Sequence, residues 1–209
     1  MSRMDRRKLR TRRQLMDALL SLMFTRDYDA ITVQDITDTA DLGRATFYLH
    51  YKDKHELLMS TMQMLMNDLI EHVEAEKSKL DDDTGMNIGL YFKYIQKNSA
   101  VYKAVLSENG MKYIAHQQLS YISEMVETIL CEDVKKNDGI VPVPIVARFI
   151  SGAIFSLILW WLEKDMPYTP EYMEQAIDQL INPGMCLNYG MPIEEFALTF
   201  DGDALKVTS

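Results

Sequence analysis

Apolar residues near the start of the chain recur at the spacing of an amphipathic helix. They occupy positions i, i+3, i+4, i+7 and i+8, and the residues are Leu15, Ala18, Leu19, Leu22 and Met23. Because an α-helix turns once every 3.6 residues, these side chains lie on one face. The pattern predicts a first helix from about residue 6 to residue 25, followed by a short connection at residues 27–29.

A second, short helix is predicted from its start signals. Thr32 is a good N-cap, and Asp35 three residues later completes a capping box. Ile31 and Ile36 occupy the two positions of a hydrophobic staple, which fixes the angle at which the chain enters the helix. The helix is expected to end near Ala40.

Residues 41–43 predict a tight turn into a third helix. Asp41 tolerates the left-handed backbone region and Gly43 prefers it, while Leu42 fills the angle between the helices. Gly43 is also an acceptable N-cap for a helix from Arg44 to about His50. Two short helices joined in this way have the form of a DNA-reading helix-turn-helix.

Helical patterns continue through most of the remaining chain. Asp53 and Glu56 repeat the capping pattern and open a long fourth helix at Lys54, which a break at residues 81–83 ends. The later helices are predicted near residues 86–96, 99–107, 112–131, 145–164 and 170–181. Asn109 and Gly110 separate two of these helices, residues 138–144 form a loop, and the tail from Asn182, with Pro183, Gly184, Gly190 and Pro192, is irregular. The fold class is therefore all-α.

One of these helices is apolar around much of its circumference. Its uncharged stretch, residues 149–162, holds 14 residues, whereas a membrane-spanning helix needs about 20. We interpret it as a buried helix that is covered on two sides, by its own domain and by a second copy of the chain. A buried monomer core is the alternative. The predicted dimer interface comprises Phe149, Gly152, Ala153, Ser156, Leu157 and Trp160.

The charge is distributed unevenly along the chain. The net charge is -9, yet residues 1–60 carry 11 basic and 9 acidic residues, and residues 61–209 carry 11 and 22. The first 13 residues alone hold a net +6, from seven basic residues and Asp5. Such a patch suits a phosphate backbone, although a basic chain end is more often a solvated helix start or an unstructured tail.

The third helix carries chemistry that suits DNA. Arg44 and Thr46 lie in its first turn, where arginine can bond bidentately to guanine. Tyr48 and His50 can reach phosphates, and Lys54 lies at a helix N-terminus, where an anion is favoured. The alternative is that Tyr48 and Tyr51 belong to the core and that Arg44 is an ordinary surface residue.

Enzyme, metal and membrane functions find no support in the sequence. Cys131 and Cys186 lie far apart and no leader is recognisable, which favours a reducing cytoplasm. His72 and Glu76 have a spacing that could bind a metal, but a solvated helix face is the preferred interpretation. No phosphate loop, nucleophile elbow or catalytic triad is recognisable, so we expect neither catalysis nor a cofactor.

The segment ITVQDITDTADLGRATFYLHYKDKHELL at residues 31–58 resembles the N-terminal domain of the TetR family of transcriptional regulators. The resemblance implies a DNA-binding domain at residues 1–54 and a helical effector-binding and dimerisation domain at residues 55–209. It implies DNA contacts by Thr32, Arg44, Ala45, Thr46, Tyr48, His50 and Lys54. Three residues depart from the family's pattern: Thr37, where Ala is common, Asp41, where Gly is common, and Gly43, where Ser or Asn usually caps the helix.

The resemblance also implies a homodimer on palindromic DNA and a small-molecule pocket in the second domain. Residues 149–163, with the YFKYIQKN segment at residues 91–98, resemble one subgroup of TetR C-terminal domains. The leading hypothesis is a repressor that a small-molecule effector releases, and the alternative is a co-activator whose second domain docks a protein partner. The candidate pocket residues are Tyr91, Tyr94, Tyr102, Tyr113, His116, Tyr121 and Trp161.

Overall fold

The computed structural model describes residues 3–80, 87–133 and 139–189, and every regular element in these ranges is helical. The predicted all-α class is confirmed. In chain order the elements are α1 (Arg3–Met23), a 3₁₀ turn (Tyr28–Ala30), α2 (Val33–Thr39), α3 (Arg44–Tyr48), α4 (Lys54–Leu80), α5 (Ile88–Lys97), α6 (Ser99–Val105), α7 (Glu108–Asp133), α8 (Val143–Glu163) and α9 (Pro170–Tyr189).

The chain forms two compact units, and each takes two segments of the sequence. The first unit comprises residues 1–70 and 98–115, and the second comprises residues 71–97 and 116–209. Helices α4 and α7 each run from one unit into the other. The boundary expected from the sequence, after residue 54, lies at the start of α4 and stays a prediction.

The first unit has an apolar core to which each of its helices contributes. Helix α1 packs on α2 and on α6, and α2 packs on α3. The buried residues follow the predicted faces, and they include Leu15, Leu19, Ile31, Ile36, Phe47, Leu57, Leu58, Tyr102 and Val105. Burying such side chains contributes roughly 1.5–3 kcal/mol each, which holds the short helices α2 and α3 in place.

The second unit packs α5 closely against α9. At Gly89 an added Cβ atom would overlap the Glu174 carboxylate, so the flexible end of that side chain would have to move. Phe92 of α5 also meets the fully buried Trp161 of α8 edge to face, with 5.1 Å between ring centroids. The two contacts tie α5 to both of the last two helices.

Helix α8 is the one described helix whose length and composition would allow it to cross a membrane. Core helices of water-soluble proteins pass the same test. One face of α8 is buried within the structure, including Ala147, Ser151 and Trp161, so this face serves as core. The opposite face is exposed in a single copy of the chain, most of all at Phe149, which is 69% exposed.

The predicted break at Asn109 and Gly110 is wrong, because α7 already begins at Glu108. Gly110 lies in the first turn of the helix, where backbone N–H groups have no partner within the helix and glycine costs little. A Cβ atom at this position would lie 2.3 Å from the Val105 carbonyl oxygen. Glycine therefore allows the end of α6 to meet the start of α7.

Helices α8 and α9 are longer than predicted. Helix α8 begins at Val143, so Pro144 lies in its first turn, where proline is tolerated. Helix α9 continues through Pro183 to Tyr189, and the prediction of an irregular chain from Asn182 is therefore wrong as far as residue 189. Cys186 and Tyr189 are buried and provide packing that outweighs the bond lost at proline. The predicted irregular tail at residues 190–209 lies outside the described residues.

Candidate nucleic-acid interface

Helices α2 and α3 form the predicted helix-turn-helix, and their ends have the expected capping. Thr32 accepts a hydrogen bond from the Asp35 backbone N–H at 3.1 Å, and Asp35 accepts one from the Thr32 N–H at 2.8 Å. The Thr32 hydroxyl also donates to the Asp35 carboxylate, and this bond, together with the one from the Thr32 N–H, holds the pKa of the Asp35 carboxyl below its usual range. In the turn it is Asp41 that adopts a positive φ of 53°, whereas Gly43 caps α3 with an ordinary φ of -75°.

Helix α3 presents a polar and an apolar row on its exposed side. Its inner side is anchored by Phe47, which is fully buried. Arg44 Nη2 donates to the Tyr48 hydroxyl at 3.3 Å, and the guanidinium lies 5.9 Å from the centre of the same ring. Tyr48 is 50% exposed, and its hydroxyl and ring position Arg44. Leu49, which follows Tyr48, is 82% exposed and was not among the predicted DNA contacts.

The basic start of α1 lies beside the end of α3. Burial lowers the pKa of His50, and the charges of Arg12 and Lys8 lower it further. Arg12 is held in place, since it donates to the Tyr51 hydroxyl at 3.1 Å and to the Ser60 hydroxyl at 2.9 Å. The other described cations of this segment are exposed, namely Arg6, Arg7, Lys8, Arg10 and Arg13. Lys8 and Arg12 therefore place positive charge near His50, just beyond the C-terminal end of α3.

Lys54 has a structural role that its sequence position did not reveal. Its ammonium donates to the backbone carbonyls of Tyr28, Asp29 and Ile31 at 2.9, 3.1 and 2.8 Å. Partial burial lowers the pKa of Lys54, and the carboxylate of Asp29 acts in the opposite direction. Because three acceptors already surround the ammonium, a phosphate contact by this group would have to replace at least one of them.

The first turns of α7 contact the 3₁₀ turn that precedes α2. Lys112 forms an ion pair with Asp29 at 3.0 Å, and the Tyr113 hydroxyl donates to the same carboxylate at 3.2 Å. The Tyr113 ring lies 4.2 Å from the His55 ring and 5.4 Å from the Tyr28 ring. Tyr28 and His55 are in turn joined by a hydrogen bond of 2.9 Å. These residues connect α7, α4 and the entry to α2.

The candidate pocket residues are divided between the two units. Tyr102 and Tyr113 belong to the first unit, and Tyr102 is buried with its hydroxyl 3.4 Å from the Leu65 carbonyl. The others belong to the second unit, where Trp161 donates to the Tyr168 carbonyl at 2.8 Å and Tyr94 packs on His72 with 4.8 Å between ring centroids. Tyr91 and Tyr121 are partly buried, and His116 is exposed.

The predicted dimer residues of α8 lie on its less buried side. Phe149, Ser156 and Trp160 are exposed, whereas Gly152, Ala153 and Leu157 are partly buried. An added Cβ at Gly152 would meet no atom within 4 Å. No group of three or more potential metal ligands occurs among the described residues.

Two family models match successive parts of this chain. The model described as "Bacterial regulatory proteins, tetR family" matches residues 15–60, and the model described as "Transcriptional regulator C-terminal region" matches residues 82–183. The chain belongs to the TetR family. The first match contains all of the helix-turn-helix, so this TetR-type chain is a transcriptional regulator.

Relatives of known sequence and structure agree with this TetR assignment. The chain is 26% identical over 183 residues to the uncharacterized HTH-type transcriptional regulator YxbF of Bacillus subtilis, covering 85% of this chain and 46% of that protein. It is 21% identical to the fatty acid metabolism regulator protein of Bacillus subtilis, covering 82% of this chain and 94% of that protein. The crystal structure of FadR from Bacillus subtilis in complex with stearoyl-CoA matches with a TM-score of 0.60 at 18% identity, covering 86% and 98%. The chain thus spans less than half the length of YxbF.

Proposed function

We propose that this chain is a homodimeric, cytoplasmic regulator that binds a palindromic DNA operator through α3 and leaves it when a small molecule binds the second unit. The observation that carries the proposal is the exposed Arg44–Tyr48 pair on a helix whose inner face is fully buried. Arginine held in this way is ready for bidentate bonding to guanine in the major groove. The exposed cations of α1 support the same face with phosphate contacts.

Dimerisation through the exposed face of α8 supports the two-fold symmetry that a palindrome requires. Phe149 is 69% exposed and Trp160 is 38% exposed, and both lie on a helix whose other face is core. Leu180 and Leu187 add exposed apolar surface on α9. A second copy would cover these residues, and binding to a palindrome requires the two α3 helices of the dimer to lie about one DNA turn apart, at roughly 34–36 Å.

The effector is proposed to be an apolar molecule with a polar head. The crystal structure of FadR from Bacillus subtilis is a complex with stearoyl-CoA, and the fold is shared at a TM-score of 0.60. A long-chain acyl-CoA is therefore the first probe to test. The partly buried Tyr91, Tyr94 and Tyr121 stay the candidate lining residues in the second unit.

The decisive experiment selects genomic DNA fragments on the purified protein at two salt concentrations. Enrichment of one inverted repeat, weakened by salt and lost in Arg44→Ala and Tyr48→Ala, would support the proposal. Lys164→Ala removes an exposed cation of the second unit and serves as the control that keeps binding. Uniform recovery of fragments would contradict the proposal. Transcription from the selected operator then shows whether the effect is repression or activation.

Dimerisation is tested separately by light scattering on Phe149→Glu. A charge at this exposed position should leave the fold intact, because the side chain lies outside the core, while it disrupts an apolar interface. We expect the variant to be monomeric at micromolar concentration and to lose operator binding. A dimer of unchanged stability would place the interface elsewhere. Stable co-purification of a second protein would favour the co-activator alternative.

A further inference from the structure

The exposed side of α3 carries apolar groups that no contact within the fold explains. Ala45 and Leu49 are both exposed and are four residues apart, so they lie on one face at successive turns. Leu49 is 82% exposed, and it therefore contributes almost nothing to the core. Its neighbour Phe47 fills the buried position on this short helix. Folding alone gives no reason for a leucine at residue 49.

The apolar row runs beside the polar row formed by Arg44 and Tyr48. Both rows have the same i, i+4 spacing, and Arg44 is bonded to Tyr48 along its own row. One row thus offers hydrogen-bond donors, and the other offers only methyl and methylene groups. A helix surface with this division can recognise a polar group and an apolar group side by side.

The charges around this face indicate what it meets. Lys8 and Arg12 act on His50, the residue next to Leu49, and the exposed cations of α1 extend the positive surface. A polyanion is favoured at such a surface, which matches a DNA groove better than an apolar face of another protein. Within the major groove, the C5 methyl of thymine is the apolar group that a base edge presents.

We propose that Ala45 and Leu49 read thymine methyl groups in the major groove, and that Leu49 makes the operator depend on thymine at one or two base pairs of each half-site. The inference rests on the proposed function, because it assigns the base that the α3 surface recognises. Four residues of helix span about 6 Å, which is close to two base-pair rises. The two methyl contacts therefore fall within about two base pairs of each other.

The test replaces single thymines of the selected operator by deoxyuridine, which keeps base pairing and lacks only the methyl group. For the wild-type protein we expect affinity to fall about threefold to fivefold at one or two positions in each half-site, as burial of one methyl predicts. In Leu49→Ala, the same replacement at one of those positions should change affinity by no more than about 1.5-fold. Leu49→Met retains an apolar side chain and should keep the sensitivity.

Matched controls separate failure of the inference from failure of the proposed function. Leu9→Ala truncates another exposed leucine, on α1, and should keep the wild-type response to deoxyuridine. Equal sensitivity in the wild type and Leu49→Ala, or a wild type that responds to no replacement, would overturn the thymine assignment while operator binding persists. A wild type that selects no operator at all would instead overturn the proposed function and this inference with it.

Discussion

Replacement of Lys54 by methionine separates the structural role of this residue from the phosphate contact that its sequence position implies. The Lys54 ammonium donates to three carbonyl oxygens, those of Tyr28, Asp29 and Ile31, at 2.8 to 3.1 Å. These carbonyls belong to the chain between α1 and the start of α2. Methionine keeps an unbranched stem of similar length and removes the charge together with the donor.

The expected loss follows from the bonds and from their partial exposure. A hydrogen bond to a charged group contributes roughly 1.5–3 kcal/mol, and a buried carbonyl without a partner costs roughly 1–3 kcal/mol. One ammonium serves all three carbonyls, and Lys54 is only partly buried, so water can replace part of the loss. We expect the free energy of unfolding to fall by about 2–3 kcal/mol, which is a large share of a typical stability of about 5–15 kcal/mol.

Urea unfolding followed by circular dichroism measures this loss, with an unchanged m-value as the sign that only stability has moved. Lys54→Arg keeps the charge but replaces a compact donor by a planar fork, so an intermediate loss is expected. Lys52→Met is the matched control, because Lys52 is exposed and lies two residues away. Its stability should stay within about 0.5 kcal/mol of the wild type.

The salt dependence of operator binding distinguishes a phosphate contact by Lys54 from a purely structural role. If Lys54 binds a phosphate, its loss should reduce the slope of log K against log salt by about 0.9. The structural interpretation predicts a lower stability and an unchanged slope for folded Lys54→Met. Unchanged stability together with a smaller slope would refute the argument from the three carbonyls.

Three further substitutions test other contacts. Gly43→Ser should stabilise the protein by a few tenths of a kcal/mol in urea unfolding, because residue 43 caps α3 without a side chain and an added Cβ meets nothing within 4 Å. Asp178→Asn should stabilise it by about 1–2 kcal/mol at pH 7, and by nothing below about pH 4, since burial and Glu174 raise the pKa of Asp178 to about 6. Arg12→Met should lower stability by about 1–2 kcal/mol and leave the salt slope unchanged, since its donors bind Tyr51 and Ser60.

Each of these expectations has a result that would contradict it. For residue 43, the contradicting result is a gain in the free energy of unfolding that is as large in Gly43→Ala, which has no capping oxygen, as in Gly43→Ser. For residue 178 the direction of the pH dependence is fixed. Folding raises the pKa of the Asp178 carboxyl, so the free energy of unfolding of the wild type falls as the pH rises toward 6. A constant difference between Asp178→Asn and the wild type from pH 4 to 7 is therefore inconsistent with it. For Arg12, the contradicting result is that Arg12→Met reduces the slope of log K against log salt as much as Arg10→Met does.

The sequence predicted those features that depend on neighbouring residues. The capping box at Thr32 and Asp35 and the N-cap at Gly43 both occur as predicted, because each needs only the bonds of one helix end. The apolar spacing around Leu19 also identified the buried face of α1. Signals of this kind are read within a few positions of the chain, and distant packing changes them little.

The features that the sequence did not predict depend on distant residues. From its neighbours alone, Gly110 predicts a break between two helices. In the structure its lack of a side chain instead allows the Val105 carbonyl to approach closely. Pro183 stays within α9 because Cys186 and Tyr189 are buried beyond it. Lys54 is placed at a helix start by its sequence, yet its acceptors lie 23 to 26 residues earlier. Tertiary contacts decide each of these cases.

Tyr113 either lines the effector pocket or transmits effector binding to the residues before α2, and the two roles can be separated by experiment. Its ring and hydroxyl contact His55, Tyr28 and Asp29, all in the first unit, while the later part of α7 belongs to the second unit. An α-helix moves nearly as a rigid rod, so an effector that shifts α7 would act on the residues before α2 through this cluster. If the proposed acyl-CoA effector binds the wild type, we expect Tyr113→Ala to bind it with the same affinity, measured by calorimetry, but to release the operator at least fivefold less, measured by fluorescence anisotropy. If the variant instead loses affinity for the effector and keeps full release at saturation, Tyr113 lines the pocket and the coupling argument is wrong.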